Sequence, residues 1–373
     1  MKVVAAIDSF KGSMTSMEAG NAVKKGILAA KPDAEVVVKP LADGGEGTVD
    51  ALIEGLGAEK IPVTVAGPLG EKVSCYYGFL EETKTAVMEM ASAAGITLVT
   101  KKDPLRASTY GVGEMIADAL KRGCKNFMIG IGGSATNDGG IGMLKALGFE
   151  FFDEDGNDVG EGAAALAKIE VIRTENKNPL LSGAKFQIAC DVKNPLCGKQ
   201  GATYIFGPQK GVTEDQKSKV DEAMKHYADV TKESLGCDFA DCEGAGAAGG
   251  LGYAFLSYLA GELIPGVELI LQATGLEEKM KNADVVVTGE GRLDAQTVMG
   301  KAPAGVAALA KKYNAKVIAF AGSVAPEAKV CNRAGIDAFF PIVRGVTTLE
   351  EAMKKENAME NIAATAEQVF RLL

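Results

Sequence analysis

The chain has 373 residues, 47% of them hydrophobic and 24% charged, and its formal net charge is −9 at pH 7. This length exceeds what one hydrophobic core usually organises, so it predicts two domains. The negative charge opposes binding to nucleic acid or to an anionic membrane surface, and neither is an expected partner. The 46 glycines against 12 prolines indicate many tight backbone turns rather than disorder.

The cysteines and the first residues predict a cytoplasmic protein. The seven cysteines form no CxxC pair, a usage typical of reduced and mostly buried thiols. The apolar run at residues 3–7 is stopped by Asp8, and it is too short for a secretory signal. The longest uncharged stretch, residues 244–261, carries six glycines, which favours a buried helix over a membrane span.

The single histidine, His226, limits the chemistry that the chain can perform. It lies in the charged, helix-like stretch at residues 214–233, where a solvated surface role is expected. A zinc site with several histidine ligands and a catalytic pair of histidines are excluded, and a Ser/His triad would have to use this one residue. Hydrolase and metalloprotease functions therefore lose most of their support.

The amino-terminal segment alternates strand and helix patterns. It predicts, in order, a strand at residues 3–7, a helix at 15–30, a strand at 35–41 and a second helix after Glu46. Such alternation is typical of parallel βαβ units.

The middle of the chain has a different pattern. Two apolar runs flank a short polar turn at Glu82 and predict a β-hairpin. Glycine-rich motifs follow densely between residues 130 and 252.

The carboxy-terminal segment returns to strand and helix alternation. Its predicted strands, at residues 284–289, 316–320 and 338–342, are apolar throughout, as buried parallel strands are. Neither end of the chain alone has enough strands for a sheet of typical size. The sequence therefore predicts an α/β fold in which residues 1–65 and 284–373 form one doubly wound parallel-sheet domain, and residues 66–283 form a second, mixed α/β domain inserted into it.

Acidic residues follow three of the predicted strands. Asp8 follows the first strand, Asp43 and Glu46 lie after the second, and Glu290 and Asp294 follow the strand that opens the carboxy-terminal segment. The carboxyl ends of parallel strands share one edge of a sheet, where loops bind ligands, so these acids are expected on one rim. Carboxylates beside glycine-rich loops suit Mg²⁺ and nucleotide phosphates. The alternative for Asp8 and Asp43 is that each only caps the helix that follows.

The segment GIGGSATNDGG, residues 130–140, is the most informative glycine-rich loop. It partly matches the dinucleotide-binding fingerprint, and Glu150 lies about 20 residues further on, where a ribose-binding acid is expected. A nicotinamide-dependent hydroxy-acid reductase is therefore one rival hypothesis. Asn137, Asp138 and two glycines interrupt what should be an unbroken helix. A loop that holds phosphate or substrate is favoured, with a tight packing turn as the alternative.

Other segments are weaker candidates. Residues 244–249 match GxGxxG without a preceding strand, which indicates either close helix packing or an anion site. Asp191 follows a strand-like run, and Lys210 lies between glycines; each has an ordinary turn as its alternative. The pair Gly300 and Lys301 lacks the upstream glycine of a P-loop, so a P-loop NTPase is excluded, and the protein-kinase signature is also absent.

As an ordered series, these motifs resemble those of the bacterial glycerate kinase family that lacks a P-loop. The series consists of DSFKGS, PLADGGEGT, GIGGSATNDGG, DVKNPLCG, FGPQKG, GAGAAGGLG, and GEGRLDAQT with GKAPAGVA. No single motif is diagnostic, but together they cover nearly the whole chain. The resemblance implies transfer of the γ-phosphoryl group of ATP to a hydroxyl of D-glycerate, with Mg²⁺, in glyoxylate, glycerate or sugar-acid catabolism. It also implies two α/β domains, the second inserted into the first.

Roles for individual residues come from the residues themselves. We predict catalytic roles for Asp8, Lys11, Asp191, Glu290 and Asp294, and metal binding for Asp43, Asp191 and Glu290. Lys11, Arg292 and Lys301 would offset developing charge. Nucleotide or substrate binding is predicted for Ser9, Asp43, Gly44, Gly45, Gly132, Gly133, Ser134, Thr136, Asn137, Asp138, Lys210, Gly246, Gly249, Arg292 and Lys301. A non-catalytic sugar-acid binding module is the second alternative. The phosphorylated oxygen, 2 or 3, and the oligomeric state do not follow from the sequence.

Overall fold

A computed structural model describes residues 1–42 and 47–373. The strands are β1 (Lys2–Ile7), β2 (Glu35–Pro40), β3 (Glu59–Ala66), β4 (Lys72–Leu80), β5 (Thr85–Glu89), β6 (Asn126–Gly130), β7 (Glu150–Phe152), β8 (Val171–Arg173), β9 (Lys185–Ala189), β10 (Glu262–Ile264), β11 (Val285–Leu293), β12 (Lys316–Val324) and β13 (Ala338–Pro341). The helices are α1 (Ser16–Ala30), α2 (Thr48–Leu56), α3 (Ala91–Ala94), α4 (Tyr110–Lys121), α5 (Ile141–Ala146), α6 (Ala163–Leu166), α7 (Ala202–Lys210), α8 (Glu214–Leu235), α9 (Leu251–Leu259), α10 (Gly266–Ala273), α11 (Leu276–Met280), α12 (Ala302–Lys311), α13 (Val330–Arg333), α14 (Leu349–Met353) and α15 (Lys355–Arg371). Short 3-10 helices span Ile96–Leu98, Pro179–Leu181, Ala247–Gly249, Ala295–Val298 and Pro326–Lys329. Outside residues 43–46, no helix is long and apolar enough to cross a membrane.

The described residues divide into two compact units. The first contains residues 1–42, 50–57 and 267–373, and the second contains residues 47–49 and 58–266. The sequence predicted the boundaries near residues 65 and 284 instead. Strand β3 lies in the second unit because it pairs with β4 along its whole length. Helices α10 and α11 lie in the first unit, where the side chain of Val267 packs against Gly305 of α12.

The first unit is built on a five-stranded sheet in the order β13-β12-β11-β1-β2. All of its strand pairs are parallel, as the apolar runs at both chain ends predicted. Helices α1 and α15 pack together, and their buried side chains share one hydrophobic core with alternate residues of the strands. Helix α12 contacts β11 and β12, and its buried residues do not belong to that core. The predicted doubly wound domain made from both chain ends is confirmed.

Helix α1 begins where its sequence directs. The Thr15 hydroxyl accepts a hydrogen bond from the Glu18 backbone N–H at 3.2 Å, and the Glu18 carboxylate accepts one from the Thr15 N–H at 2.9 Å. This reciprocal pair satisfies two backbone donors that the first helical turn leaves unpaired. The capping pair fixes the start of α1, and therefore also the end of the loop that joins β1 to α1.

The second unit contains a six-stranded sheet in the order β10-β9-β6-β5-β4-β3. The strands from β10 to β5 pair in parallel. The pairs β5-β4 and β4-β3 are antiparallel, so the predicted hairpin at Glu82 and the mixed character of the inserted domain are confirmed. A separate antiparallel pair, β7-β8, lies outside this sheet. The unit has its own hydrophobic core.

Strand β11 is longer than its sequence suggested. We expected the strand to end at Gly289 and Glu290 to lie in a loop, but the pairing with β12 continues to Leu293. Gly289 allows this close pairing, because a Cβ atom there would lie 2.1 Å from the carbonyl oxygen of Phe320. Since side chains alternate along a strand, Glu290 and Arg292 point to the same side.

The contact between α1 and α15 depends on a glycine. A Cβ atom at Gly26 would lie 2.0 Å from the carbonyl oxygen of Ala363. Although alanine is favoured over glycine inside a helix by about 1 kcal/mol, we expect Gly26→Ala to lower the free energy of unfolding by about 1–3 kcal/mol, because the two helices must move apart. Urea denaturation measures this change. In the control Gly345→Ala the added Cβ meets nothing within 4 Å, and little change is expected. A more stable Gly26→Ala variant would contradict the packing.

Candidate functional site

A cavity of about 590 Å³ lies in the first unit. It opens at the carboxyl ends of the parallel strands, between the residues that follow β1 and β13 and the last residues of β11 and β12. Its volume is that of a site for a small molecule. The predicted site residues that line it are Asp8, Ser9, Lys11, Glu290, Arg292, Asp294 and Lys301. The parallel sheet therefore brings together residues that are almost 300 positions apart in the chain.

Strand pairing positions Asp8 beside the strand that carries Glu290. The backbone N–H of Asp8 donates to the carbonyl oxygen of Gly289 at 2.9 Å. The Asp8 carboxylate accepts from the backbone N–H of Ser9 at 2.7 Å. Both carboxylates thus lie at one edge of the sheet, as the sequence predicted.

Glu290 is a buried carboxylate with polar neighbours. Its side chain is only 10% exposed. Its Oε1 accepts a hydrogen bond from the Thr297 hydroxyl at 2.5 Å, and its Oε2 lies 3.7 Å from the Lys301 ammonium. Burying a charge is costly unless it is paired, and this arrangement keeps a negative charge inside the cavity.

Arg292 and Asp294 differ in what they offer to a ligand. The Arg292 side chain is 67% exposed, and its Nε lies 3.7 Å from Asp294. The Asp294 carboxylate accepts from the backbone N–H of Gln296 at 2.8 Å and caps the 3-10 helix that follows. Asp294 therefore holds the turn that leads toward Lys301, while the guanidinium of Arg292 faces the cavity and solvent.

The glycine loop at residues 130–140 lies in the second unit, where Asp138 holds it in place. Asp138 is fully buried. Its carboxylate accepts from the N–H and the hydroxyl of Thr109, both at 2.8 Å, and from the N–H groups of Gly140 and Gly142. Burial raises the pKa of Asp138, and these hydrogen bonds counteract that rise in part. The contacts of Asp138 in this structure are structural, because its carboxylate is buried among backbone donors, and its role in ligand binding stays a prediction.

Lys210 does not lie in a loop. The stretch that the sequence suggested as a glycine loop forms the last turn of α7, which ends because Gly211 has a φ of 102°. The Lys210 side chain is buried, and its ammonium donates to the carbonyl oxygen of Thr136 at 2.6 Å. Burial lowers the pKa of Lys210 to about 7, and the negative charge of Asp138 opposes this effect. Lys210 and Asp138 thus fix the loop from inside the protein.

The remaining loop residues divide into buried and exposed positions. Ser134, Thr136 and Asn137 are buried, whereas Gly132 and Gly133 are exposed. The Asn137 amide donates to the Thr203 hydroxyl at 3.0 Å. Within residues 1–42 and 47–373, the Asn137 Oδ1 and the Thr136 hydroxyl have no hydrogen-bond partner. Only the Gly132–Gly133 turn presents backbone directly to solvent.

The second glycine motif packs against the first. The N–H of Gly139 donates to the carbonyl oxygen of Gly249 at 2.9 Å. A Cβ atom at Gly249 would lie 2.2 Å from the Thr136 oxygen, and one at Gly246 would lie 2.2 Å from the Pro195 oxygen. These glycines allow backbone segments to touch, which is the packing alternative that the sequence left open.

Of the predicted metal ligands, Asp191 and Glu290 lie among the described residues. Asp43, like Gly44 and Gly45, lies outside the described residues. Asp191 lies in the second unit at the end of β9, where its Oδ1 accepts from the N–H of Gly266 at 2.9 Å. In the described part of the chain, no group of three or more His, Cys, Asp or Glu side chains could hold a metal ion.

The reductase hypothesis finds no geometric support. Glu150, its proposed ribose-binding acid, lies in β7 and accepts a hydrogen bond from the Asn176 amide at 3.0 Å. Strand β7 pairs with β8 in a separate two-stranded sheet, away from the parallel strands where a dinucleotide would lie. The helix start is also interrupted as the sequence indicated, since α5 begins at Ile141.

Sequence reasoning missed one wall of the first-unit cavity. Ser323 of β12 and the segment at residues 342–353 line it. Their position could have identified them as cavity residues. Ser323 lies near the end of β12, and the segment follows β13 as Asp8 follows β1. They were overlooked because the segment carries no glycine-rich motif and no acid directly after its predicted strand.

Comparison with known proteins gives consistent results. Residues 3–373 match the model of the glycerate kinase family. The glycerate kinase of Bacillus subtilis (strain 168) is 45% identical, with 99% of this chain and 97% of that protein covered. The glycerate 2-kinase of Escherichia coli (strain K12) is 45% identical, with 98% of each chain covered. A crystal structure described as a glycerate kinase 2 from Salmonella typhimurium LT2 superposes with a TM-score of 0.91 at 42% identity, and it covers 99% of this chain and 97% of that one.

The buried Lys210 predicts a pH-dependent stability. Its pKa is lowered to about 7 in the native state and is about 10.4 in an unfolded chain. Between these values the unfolded state binds more protons, so this residue makes the protein more stable as the pH rises, by at most about 1.4 kcal/mol per pH unit. We expect Lys210→Met to lose this slope. Urea denaturation between about pH 7 and pH 10 compares the variant with the parent.

The control for this prediction is Lys199→Met, which removes an exposed lysine of the same unit. It should keep the parental slope. Parallel stability curves for the parent and Lys210→Met would show that the native pKa of Lys210 is not lowered.

Proposed function

This chain belongs to the glycerate kinase family, and we propose that it transfers the γ-phosphoryl group of ATP to a hydroxyl of D-glycerate. The observation that carries the proposal is the match over the full chain to relatives that are named glycerate kinases. A cavity that combines carboxylates with cationic side chains supports it. We also propose that the two units are two domains, the second inserted into the first.

The first-unit cavity suits the triphosphate chemically. Phosphoryl transfer depends mainly on positioning and on stabilising charge as it develops on the phosphate oxygens. Lys11, Arg292 and Lys301 line the cavity and would bind the phosphate oxygens through charge-assisted hydrogen bonds. Lys301 is held near Glu290 by their ion pair, so its ammonium is already positioned inside the cavity.

The carboxylates of this cavity fit Mg²⁺ bound together with a nucleotide. Mg²⁺ is usually held by one or two protein carboxylates, by phosphate oxygens and by water, and not by a complete protein cage. Asp8 and Glu290 line the cavity that carries the cations, and we propose them as its ligands. When bound, the ion neutralises charge on the β- and γ-phosphates. The predicted metal role of Asp43 concerns a residue outside the described ones, and that of Asp191 stays a prediction.

In the second unit, the exposed Gly132–Gly133 turn is the proposed contact for substrate or phosphate. The buried side chains of Asp138 and Lys210 hold the loop that carries this turn through hydrogen bonds to its backbone. A rigid turn binds an anion with a smaller loss of conformational entropy than a mobile loop does. The proposed contact is therefore limited to the exposed residues of the predicted binding loop, Gly132 and Gly133.

Oxygen 2 of glycerate is the proposed acceptor. The supporting observation is the relative from Escherichia coli, which is named a glycerate 2-kinase and is 45% identical over almost the whole chain. We expect phosphorus NMR of the reaction product to match authentic 2-phosphoglycerate. A spectrum that matches 3-phosphoglycerate would overturn this assignment and leave the kinase activity intact.

We propose that the enzyme works in the cytoplasm, where ATP is supplied. Its seven cysteines are all free, and free thiols are typical of a reducing compartment. The net charge of −9 supports small-molecule substrates over nucleic acid.

Removal of a cavity charge should abolish most of the activity. We expect Asp8→Asn and Lys11→Ala each to lower glycerate-dependent ADP release by about a hundredfold or more, because each loses a group that positions or stabilises the transferring phosphoryl group. The matched controls are Asp33→Asn and Lys25→Ala, two exposed positions outside the cavity, which should keep parental rates. A coupled assay measures ADP release. Variants that fold normally and turn over like the parent would remove Asp8 or Lys11 from the site.

A further inference from the structure

The first-unit cavity has two chemically different walls. The charged residues come from the loop after β1, from β11 and from residues 294–301, whereas a second wall is mostly apolar, with the side chains of Thr347, Thr348 and Asn361 beside it. We call this second wall the α14 wall; it consists of Ile342, Val343, Leu349, Ala352 and Met353. The proposed phosphate chemistry uses only the charged wall and gives the α14 wall no role.

The α14 wall exposes large apolar side chains. Leu349 is 76% exposed and Met353 is 37% exposed, and helix α14 buries no residue at all. Single exposed apolar residues are normal on a protein surface. A group of them on one short segment that lines a cavity is instead typical of a surface that a ligand covers.

The α14 wall is held in place before any ligand binds. The Thr348 hydroxyl caps α14 by accepting from the N–H of Glu351 at 3.2 Å. The Asn357 amide donates to the Glu351 carbonyl at 2.8 Å, and Lys355 forms an ion pair with Glu18 of α1. The Asn357 contact ties α14 to α15, and the Lys355 ion pair ties α15 to α1, so the wall is a preformed surface.

The α14 wall directly adjoins the loop that carries Lys11. A Cβ atom at Gly12 would lie 3.0 Å from the Cε atom of Met353. The apolar surface and the cation are therefore next to each other in one cavity, and a ligand that is apolar at one end and anionic at the other would satisfy both.

Of the two proposed substrates, only one has an apolar part. Glycerate is small and polar at every carbon, and it would leave the α14 wall exposed. The adenine of ATP has two flat apolar faces and is joined through ribose to the triphosphate. We propose that the α14 wall binds the adenosine end of ATP, with the triphosphate directed toward Lys11, Arg292 and Lys301. This assignment rests on the proposed kinase function and places the adenosine end of the nucleotide in the first unit.

Two variants test the α14 wall. Leu349→Ser removes an apolar side chain that is mostly exposed, so the fold should tolerate it, and Ala352→Phe fills the space in front of the wall. We expect each to raise the KM for ATP about tenfold or more and to weaken ADP binding, measured by calorimetry, to a similar extent. The KM for glycerate should stay within about twofold of the parental value, because glycerate does not use this wall. The matched control is Leu372→Ser, at an 86% exposed position outside the cavity, with parental constants expected.

The possible outcomes separate the two proposals. If the parent enzyme releases no ADP in response to glycerate, the proposed function fails. If the parent is active but both variants keep a parental KM for ATP and parental ADP binding, the α14 wall does not hold the nucleotide. An equal rise in both Michaelis constants would likewise overturn the assignment, because it would show that the wall is not specific to ATP.

Discussion

The parallel pairing of β1 with β11 is the constraint on which the first unit depends. It joins the first strand of the chain to one that begins at Val285, with Val3 opposite Val285 and Ala5 opposite Val287. Because both strands are buried on both faces, a shift of register would disrupt the close packing of their apolar side chains on each face. The pairing therefore also fixes which residues emerge at the carboxyl edge, and it brings Asp8 next to Glu290. The cavity exists because a long stretch of chain leaves the sheet after β2 and returns to it at β11.

The second unit uses its glycines differently from the first. The two glycine motifs touch each other, and the buried Asp138 and Lys210 hold the resulting loops from inside. A buried lysine and a buried aspartate are both costly, and here they satisfy backbone groups that a turn cannot pair with itself. The hydrogen bonds of Asp138 and Lys210 offset part of this cost, and they hold the loop in place. The glycines of these two motifs therefore allow backbone segments to pack closely against each other. They do not indicate a flexible loop.

The two walls of the first-unit cavity match the two ends of a nucleotide. Arg292 on β11 and Lys11 in the loop after β1 attract the negatively charged phosphates. This attraction is strong, but it does not select the base. The apolar surface at α14 provides burial without charge. With this division, contacts to the base contribute affinity, and the charged side chains interact with the reacting phosphate. Interactions that strengthen in the transition state accelerate the reaction.

Four features could be predicted from the amino-acid sequence alone: the alternation of strands and helices, the sheet made from both chain ends, the acids near the strand ends and the ordered motifs of the family. These features are local: a strand period, a glycine requirement or a residue just after a strand can be recognised within a few positions. Three other features became visible only in the folded chain: Asp138 and Lys210 are buried, β11 continues past Glu290, and α14 forms a cavity wall. The physical reason is that burial depends on partners far away in sequence, such as Thr136, which lies 74 positions before Lys210. No local pattern contains that information.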